Sequence, residues 1–114
     1  MAQIKQGRWV TQLGQGTSSS LELVSETLVG IFTPSTLDAA ELKVQASPNG
    51  VTFYDIVEGG AAMAVTADTD AYIPLDATKM LGASHVRVVH LDGGGSPTTE
   101  SAERVFQPVF RTFE

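Results

Sequence analysis

Cysteine is absent from this 114-residue chain. Its absence excludes disulfides, thiolate-ligated zinc and thiol catalysis together. Histidine is nearly absent: His85 and His90 are the only two. Five residues apart on an alternating stretch, they point to opposite faces and do not share a metal from that stretch. No Gly-x-Ser-x-Gly elbow occurs, and Gly93-Gly94-Gly95 has no following lysine to make a phosphate cradle. No apolar run approaches 18 residues, so no membrane-spanning helix is expected. Residues 1–9 lack the apolar core of a signal peptide, so secretion by one is not expected, and synthesis in a cytosol is. Charged residues make up only 18% and hydrophobic residues 42%. That balance argues against a disordered chain and for one folded domain with a core of its own.

The charge that is present is unevenly placed. Residues 1–21 carry Lys5 and Arg8 and no acid, whereas residues 22–114 carry five bases and thirteen acids. A net charge of −6 argues against general nucleic-acid binding. The basic N-terminal stretch suits docking on an acidic partner.

The clearest element is a hairpin over residues 41–57. Glu41 to Ser47 and Val51 to Val57 alternate around Pro48-Asn49-Gly50, which reads as a three-residue loop with Gly50 left-handed. That loop sets Ser47 opposite Val51, Gln45 opposite Phe53, Lys43 opposite Asp55 and Glu41 opposite Val57. Leu42, Val44 and Ala46 then share an apolar, core-directed face with Ile56, Tyr54 and Thr52. Lys43 and Asp55 form a cross-strand ion pair.

Other strands gather around it. Arg8 to Leu13 reads as a weak strand within an extended arm. Thr17 to Val24 and Thr27 to Phe32 follow, the second apolar on both faces and therefore central. Gly30 inside it marks a close backbone approach or a bulge. Ala61 to Ala67, Ala71 to Leu75, His85 to Leu91 and Arg104 to Phe113 complete the set. Pro74 implies an edge, and Pro108 implies a bulge or an edge. Single helical turns are expected at residues 35–40 and 76–82. Residues 92–103, rich in glycine, serine and threonine, read as the mobile loop. The tally is an all-β, antiparallel β-sandwich, jelly-roll-like, with about eight to nine strands and one or two short helical turns. The boundaries are an extended arm at 1–16 and a single domain at 17–114.

Candidate chemistry is sparse. Asp68 and Asp70 have the spacing of some calcium loops but lack an EF-hand's glycine and glutamate, so a solvated turn is expected. His90 shares a face with Val86 and Val88 and reads as a satisfied core histidine. No catalytic, cofactor or metal site is expected, and the chain is not expected to be an enzyme. Lys5, Arg8, Trp9 and Phe53 are the candidate partner-binding residues. Trp9 is either a core residue or an interface anchor. Phe53, on the hairpin face opposite Tyr54, is either covered by a second layer or presented to a neighbour.

Several stretches together carry a resemblance. Leu28-Val29-Gly30-Ile31, residues 42–55, Tyr72-Ile73-Pro74-Leu75-Asp76 and Val86-Arg87-Val88 resemble a family of small β-sandwich structural proteins, discoidin-like or jelly-roll-like, of tailed bacteriophage virions. The resemblance covers residues 20–113 and leaves the arm at 1–16 unmatched. It implies a non-enzymatic virion component, most simply a head decoration or head-fibre-base protein, oligomeric and bound to other virion proteins. A neck or tail subunit and a carbohydrate-binding module for host-surface adhesion are the alternatives. Neither nucleic acid nor a membrane is an expected partner.

Overall fold

The computed structural model describes residues 4–24, 26–58, 61–76 and 83–112. Within them the chain forms twelve strand segments and no helix. They are β1 (Ile4–Gln6), β2 (Trp9–Thr11), β3 (Leu21–Glu22), β4 (Glu26–Phe32), β5 (Glu41–Ser47), β6 (Tyr54–Asp55), β7 (Val57–Glu58), β8 (Ala61–Ala62), β9 (Ala64–Thr66), β10 (Tyr72–Pro74), β11 (His85–Leu91) and β12 (Arg104–Thr112).

Two antiparallel sheets hold all but the small β7–β8 hairpin. The first has β1 and β2 beside β12, then β4, then β10. The second has β3, β11 and β5 in order, with β6 and β9 both on the far edge of β5. Counting β1 with β2, and β6 with β9, as interrupted single strands gives four positions per sheet. The chain crosses from one sheet to the other at nearly every step.

The interruptions have local causes. Gln6 lies opposite Val109 and Trp9 opposite Phe106, so β1 and β2 keep one register along β12. They part at Gly7 and Arg8, beside Pro108, which has no amide to donate. Gly7 instead donates its own amide to the Pro108 carbonyl at 3.3 Å. Proline is therefore tolerated in a central strand because the neighbouring strand breaks there. On the other side of β12 the register with β4 shifts between Val109 and Phe110. The extra residue in β4 lets Leu28 and Ile31, three apart, both enter the core.

The core lies between the sheets. Trp9, Leu28, Ile31, Phe106 and Phe110 come from the first sheet, and Leu42, Val44, Val86 and Val88 from the second. Trp9 spans the two layers: its ring is fully buried and its Nε1 donates to the Val86 carbonyl at 3.2 Å. Residues 4–11 thus belong to the sandwich, and the boundary expected at residue 16 is not a division between arm and domain. Trp9, a candidate partner residue, is a core residue instead. The alternation along β11 is as expected, with Val86, Val88 and His90 inward.

The hairpin differs from expectation in register. Asp55 faces Gln45 and Tyr54 faces Ala46, a shift of two residues. The turn is longer because two side chains organise it. Ser47 Oγ accepts from the amides of Asn49 and Gly50, and Asn49 Oδ1 accepts from those of Val51 and Thr52. Gly50 is left-handed as expected, at φ 80°. Tyr54 consequently sits at the sheet margin, 59% exposed rather than in the core. Lys43 still reaches Asp55, diagonally, at 2.9 Å.

Residues 35–40 form no helical turn; the turn expected at 76–82 falls almost wholly outside the described residues. Gly30 lies next to a bulge, one of the two alternatives expected there; what closes on it is not another backbone but the Tyr72 ring, which a Cβ would overlap.

Replacing Trp9 by alanine is expected to cost about 3–5 kcal/mol, from lost burial and the cavity left behind, read as a lowered urea midpoint. Deleting residues 1–11 is expected to abolish cooperative unfolding; a truncated chain with an unchanged transition would contradict the placement of this segment.

Candidate functional site

Two polar constellations stand out, one sealed and one on the surface. The sealed one centres on Glu100. Its carboxylate lies inside the protein, 1% exposed, and each oxygen receives two donors. Oε1 accepts from the Asp38 amide at 2.8 Å and Arg104 Nε at 2.7 Å. Oε2 accepts from the Ala39 amide and His90 Nδ1, both at 2.9 Å. All four lone-pair sites are filled. The amides of residues 38 and 39 serve this carboxylate. Donation from Nδ1 leaves His90 Nε2 to accept from the Thr11 hydroxyl at 2.8 Å. Arg104 also reaches Thr36 Oγ1 at 3.0 Å and Asp38 Oδ1 at 3.2 Å.

Hydroxyl, imidazole and carboxylate are thus lined up in the order of a hydrolytic triad. Thr11 and His90 are both 0% exposed, and the carboxylate has no free acceptor. No substrate reaches the Thr11 hydroxyl in this arrangement. The group is a structural tie between β2, the 36–40 segment, β11 and β12. It also fixes residues 92–103, expected to be the mobile loop. The Gly14 amide donates to the Glu100 carbonyl, the Glu100 amide to Gln15, and the Thr98 amide to His90. Asp92 Oδ1 closes the glycine turn by accepting from the Gly94 and Ser96 amides.

Electrostatics follow from burial. Burial holds His90 below its ordinary value, against the raising effect of Glu100. Burial alone would raise Glu100, but its donors from Asp38, Arg104, His90 and Ala39 outweigh it and hold the carboxyl below the usual range.

The surface constellation lies on the outer face of the second sheet. Arg87 Nε donates to Gln45 Oε1 and Gln45 Nε2 to Asp55 Oδ1, each at 2.9 Å. Lys43 completes the chain at Asp55. Gln45, then Lys43, holds the Asp55 carboxyl below its ordinary value. The Arg87 guanidinium sits 4.1 Å over the Phe53 ring. Phe53 is neither covered by a second layer nor free; it is half-buried under an arginine of its own chain.

Of the candidate partner residues, Trp9 is core and Phe53 is occupied. Arg8 is exposed, and the Lys5 side chain lies outside the described residues. The structure forms no shared surface patch from Arg8, Trp9 and Phe53. It presents instead an exposed aromatic pair, Phe32 and Tyr72. These are 42% and 45% exposed on the outer face of the first sheet, with ring centroids 4.8 Å apart. Asp68 and Asp70 lie in an exposed turn. Among the described residues no group of three potential ligands could hold a metal, and no helix is long and apolar enough to cross a membrane.

The class defined by this geometry is an antiparallel β-sandwich with a sealed polar tie. No family model and no curated protein matches the chain. Among solved structures, it is similar to the crystal structure of the SPBc2 prophage-derived protein YomS. Identity is 8%, over 98% of this chain and 96% of that one, with a TM-score of 0.63. A chain of the cyanophage Pam1 capsid asymmetric unit overlaps more loosely: 12% identity over 99% of this chain and 85% of that one, with a TM-score of 0.43. The likeness to YomS is one of fold, and it takes in the N-terminal segment as well as the sandwich.

Replacing Glu100 by alanine leaves Arg104 and two amides without their acceptor and is expected to cost about 3–5 kcal/mol. Stability is also expected to fall with acid. Below about pH 6.5 the unfolded chain binds a proton at His90 that the folded chain refuses, and Glu100 adds a second loss below about pH 4.5. In urea titrations at about pH 7 and pH 5, a His90→Gln variant, although less stable throughout, is expected to show the smaller drop. Equal drops would place the acid sensitivity elsewhere.

Proposed function

We propose that this chain is a non-enzymatic structural subunit of a tailed phage particle, acting through protein contacts at the particle surface as a head decoration or head-fibre-base protein. The observation that carries the reading is the use made of its polar groups. Among the described residues, the one constellation with the order of a catalytic triad is sealed and saturated. The chain's outward-facing surfaces are thus left to do its work. The prophage origin of the structurally similar YomS supports a setting in a phage particle, and the resemblance of residues 20–113 to virion β-sandwiches agrees with it. Many copies on one shell make small interfaces effective together, so oligomeric or repeated display belongs to the same reading.

A carbohydrate-binding module is the second reading, favoured by the exposed Phe32–Tyr72 pair. Against it, the Tyr72 hydroxyl already donates to the Val29 carbonyl at 3.3 Å, and the two rings are tilted by 45° to each other rather than laid out as one platform. A glycan array probed with the full chain is expected to show no binding.

Mass spectrometry of particles purified from the phage that encodes this chain tests the main reading. The chain is expected in many copies per particle, in fixed ratio to the shell protein. Its absence from washed particles would remove the proposal.

A further inference from the structure

The basic residues whose side chains are described divide into two groups. Lys43 is held by Asp55, Arg87 by Gln45 and Phe53, and Arg104 by Glu100 and Asp38. Arg8 and Arg111 are both exposed, and neither has an ion-pair partner among the described residues. Both fall on the outer face of the first sheet. Arg111 alternates with the inward Phe110 on β12. Arg8 precedes the inward Trp9, and the shared register of β1 and β2 puts it beside Gln107.

Gln107 in turn lies opposite Phe32, and Phe32 opposite Tyr72. Arg8, Gln107, Phe32 and Tyr72 therefore form one row across four strands, roughly 14 Å long at the usual strand spacing. Arg111 stands four residues along β12, about 13 Å away. At the paired positions of these strands no carboxylate falls on this face: the others are Val10, Thr27, Gly30, Pro74, Val105 and Val109, of which Thr27 and Val109 are buried. The acids Asp76 and Glu103 lie just beyond the paired ends of β10 and β12. Gly30 lets the Tyr72 ring lie flat against the strand. The outer face of the second sheet contrasts with it. It carries Glu22, Glu41 and Asp55, and both of its cations are already engaged.

On a chain of net charge −6, two exposed arginines with no ion-pair partner among the described residues share one sheet face with two exposed aromatic rings. We propose that the outer face of the first sheet is the docking face and that its occupant is an acidic protein surface of the particle. Carboxylates of that surface meet Arg8 and Arg111, and an apolar side chain packs on Phe32 and Tyr72. This rests on the structural-subunit reading. Arginine and aromatic residues are the usual anchors of protein interfaces. Two arginines on so acidic a chain are too few to hold a polyphosphate backbone against its repulsion.

The test is rebinding of the full chain to particles purified from a phage whose copy of this gene is deleted. Wild-type chain is expected to rebind, more weakly as salt is raised. The Arg8→Glu/Arg111→Glu variant is expected to lose at least about tenfold in affinity. Phe32→Ala is expected to lose affinity with little change in salt dependence. Glu22→Lys/Glu41→Lys, on the other sheet, is expected to rebind normally. If the charge reversals fail to fold, as judged by their urea transitions, Arg8→Gln/Arg111→Gln replaces them. Wild-type chain that rebinds while the arginine variants match it would overturn the docking face alone. Wild-type chain that does not rebind would count against the structural-subunit reading as well. Competition by duplex DNA, or loss of rebinding after glycosidase treatment of the particles, would assign the face to another ligand and overturn the proposal.

Discussion

One buried carboxylate organises this sandwich. Glu100 gathers an arginine, a histidine and two backbone amides from three separate parts of the chain. A carboxylate so deep is tolerable only because every acceptor site is used and a guanidinium balances its charge. The same arrangement solves several local problems at once. It satisfies the amides of an irregular segment at 36–40, sets the tautomer of a core histidine, and holds a polar connection against the strands. Through Thr11 it reaches β2, so the N-terminal segment is fastened by Trp9 on one side and by this network on the other.

That arrangement decides which parts of the molecule are free to act. Groups that could do chemistry are consumed in holding loops together. The second sheet's outer face is likewise self-satisfied, since its lysine, glutamine, aspartate and arginine bond one another and cap Phe53. On the first sheet's outer face Arg8 and Arg111 have no ion-pair partner among the described residues, and the Phe32 and Tyr72 rings are exposed. Function, on this account, lies where the internal bonding stops.

Much of the fold was legible because strands announce themselves by alternation and turns by glycine and proline. The inward set Val86, Val88 and His90, the central place of β4, the bulge beside Gly30 and the left-handed Gly50 all followed from such signals. The hairpin register did not. Pro48-Asn49-Gly50 favours a short loop by propensity, but the Ser47 and Asn49 side chains bind the amides of residues 49–52, so that Val51 and Thr52 join the turn and lengthen it. Glu100 gave almost no warning, sitting in a polar stretch that reads as solvated. Only its spacing of four from Arg104 hinted at a pair, and burial of that pair depends on tertiary packing. Arg8 was legible by its charge. Trp9 was not assignable, because a lone tryptophan beside basic residues suits an interface as well as a core. The Phe32–Tyr72 pair needed the pairing of β4 with β10, which no local pattern gives.

Native-state hydrogen exchange at the Asp38 and Ala39 amides tests the account's centre most directly, since both lie in an irregular segment and owe their protection to one side chain. The account predicts that both exchange only through global unfolding, with an opening free energy equal to that from urea titration. Exchange through a local opening, insensitive to denaturant, would contradict it.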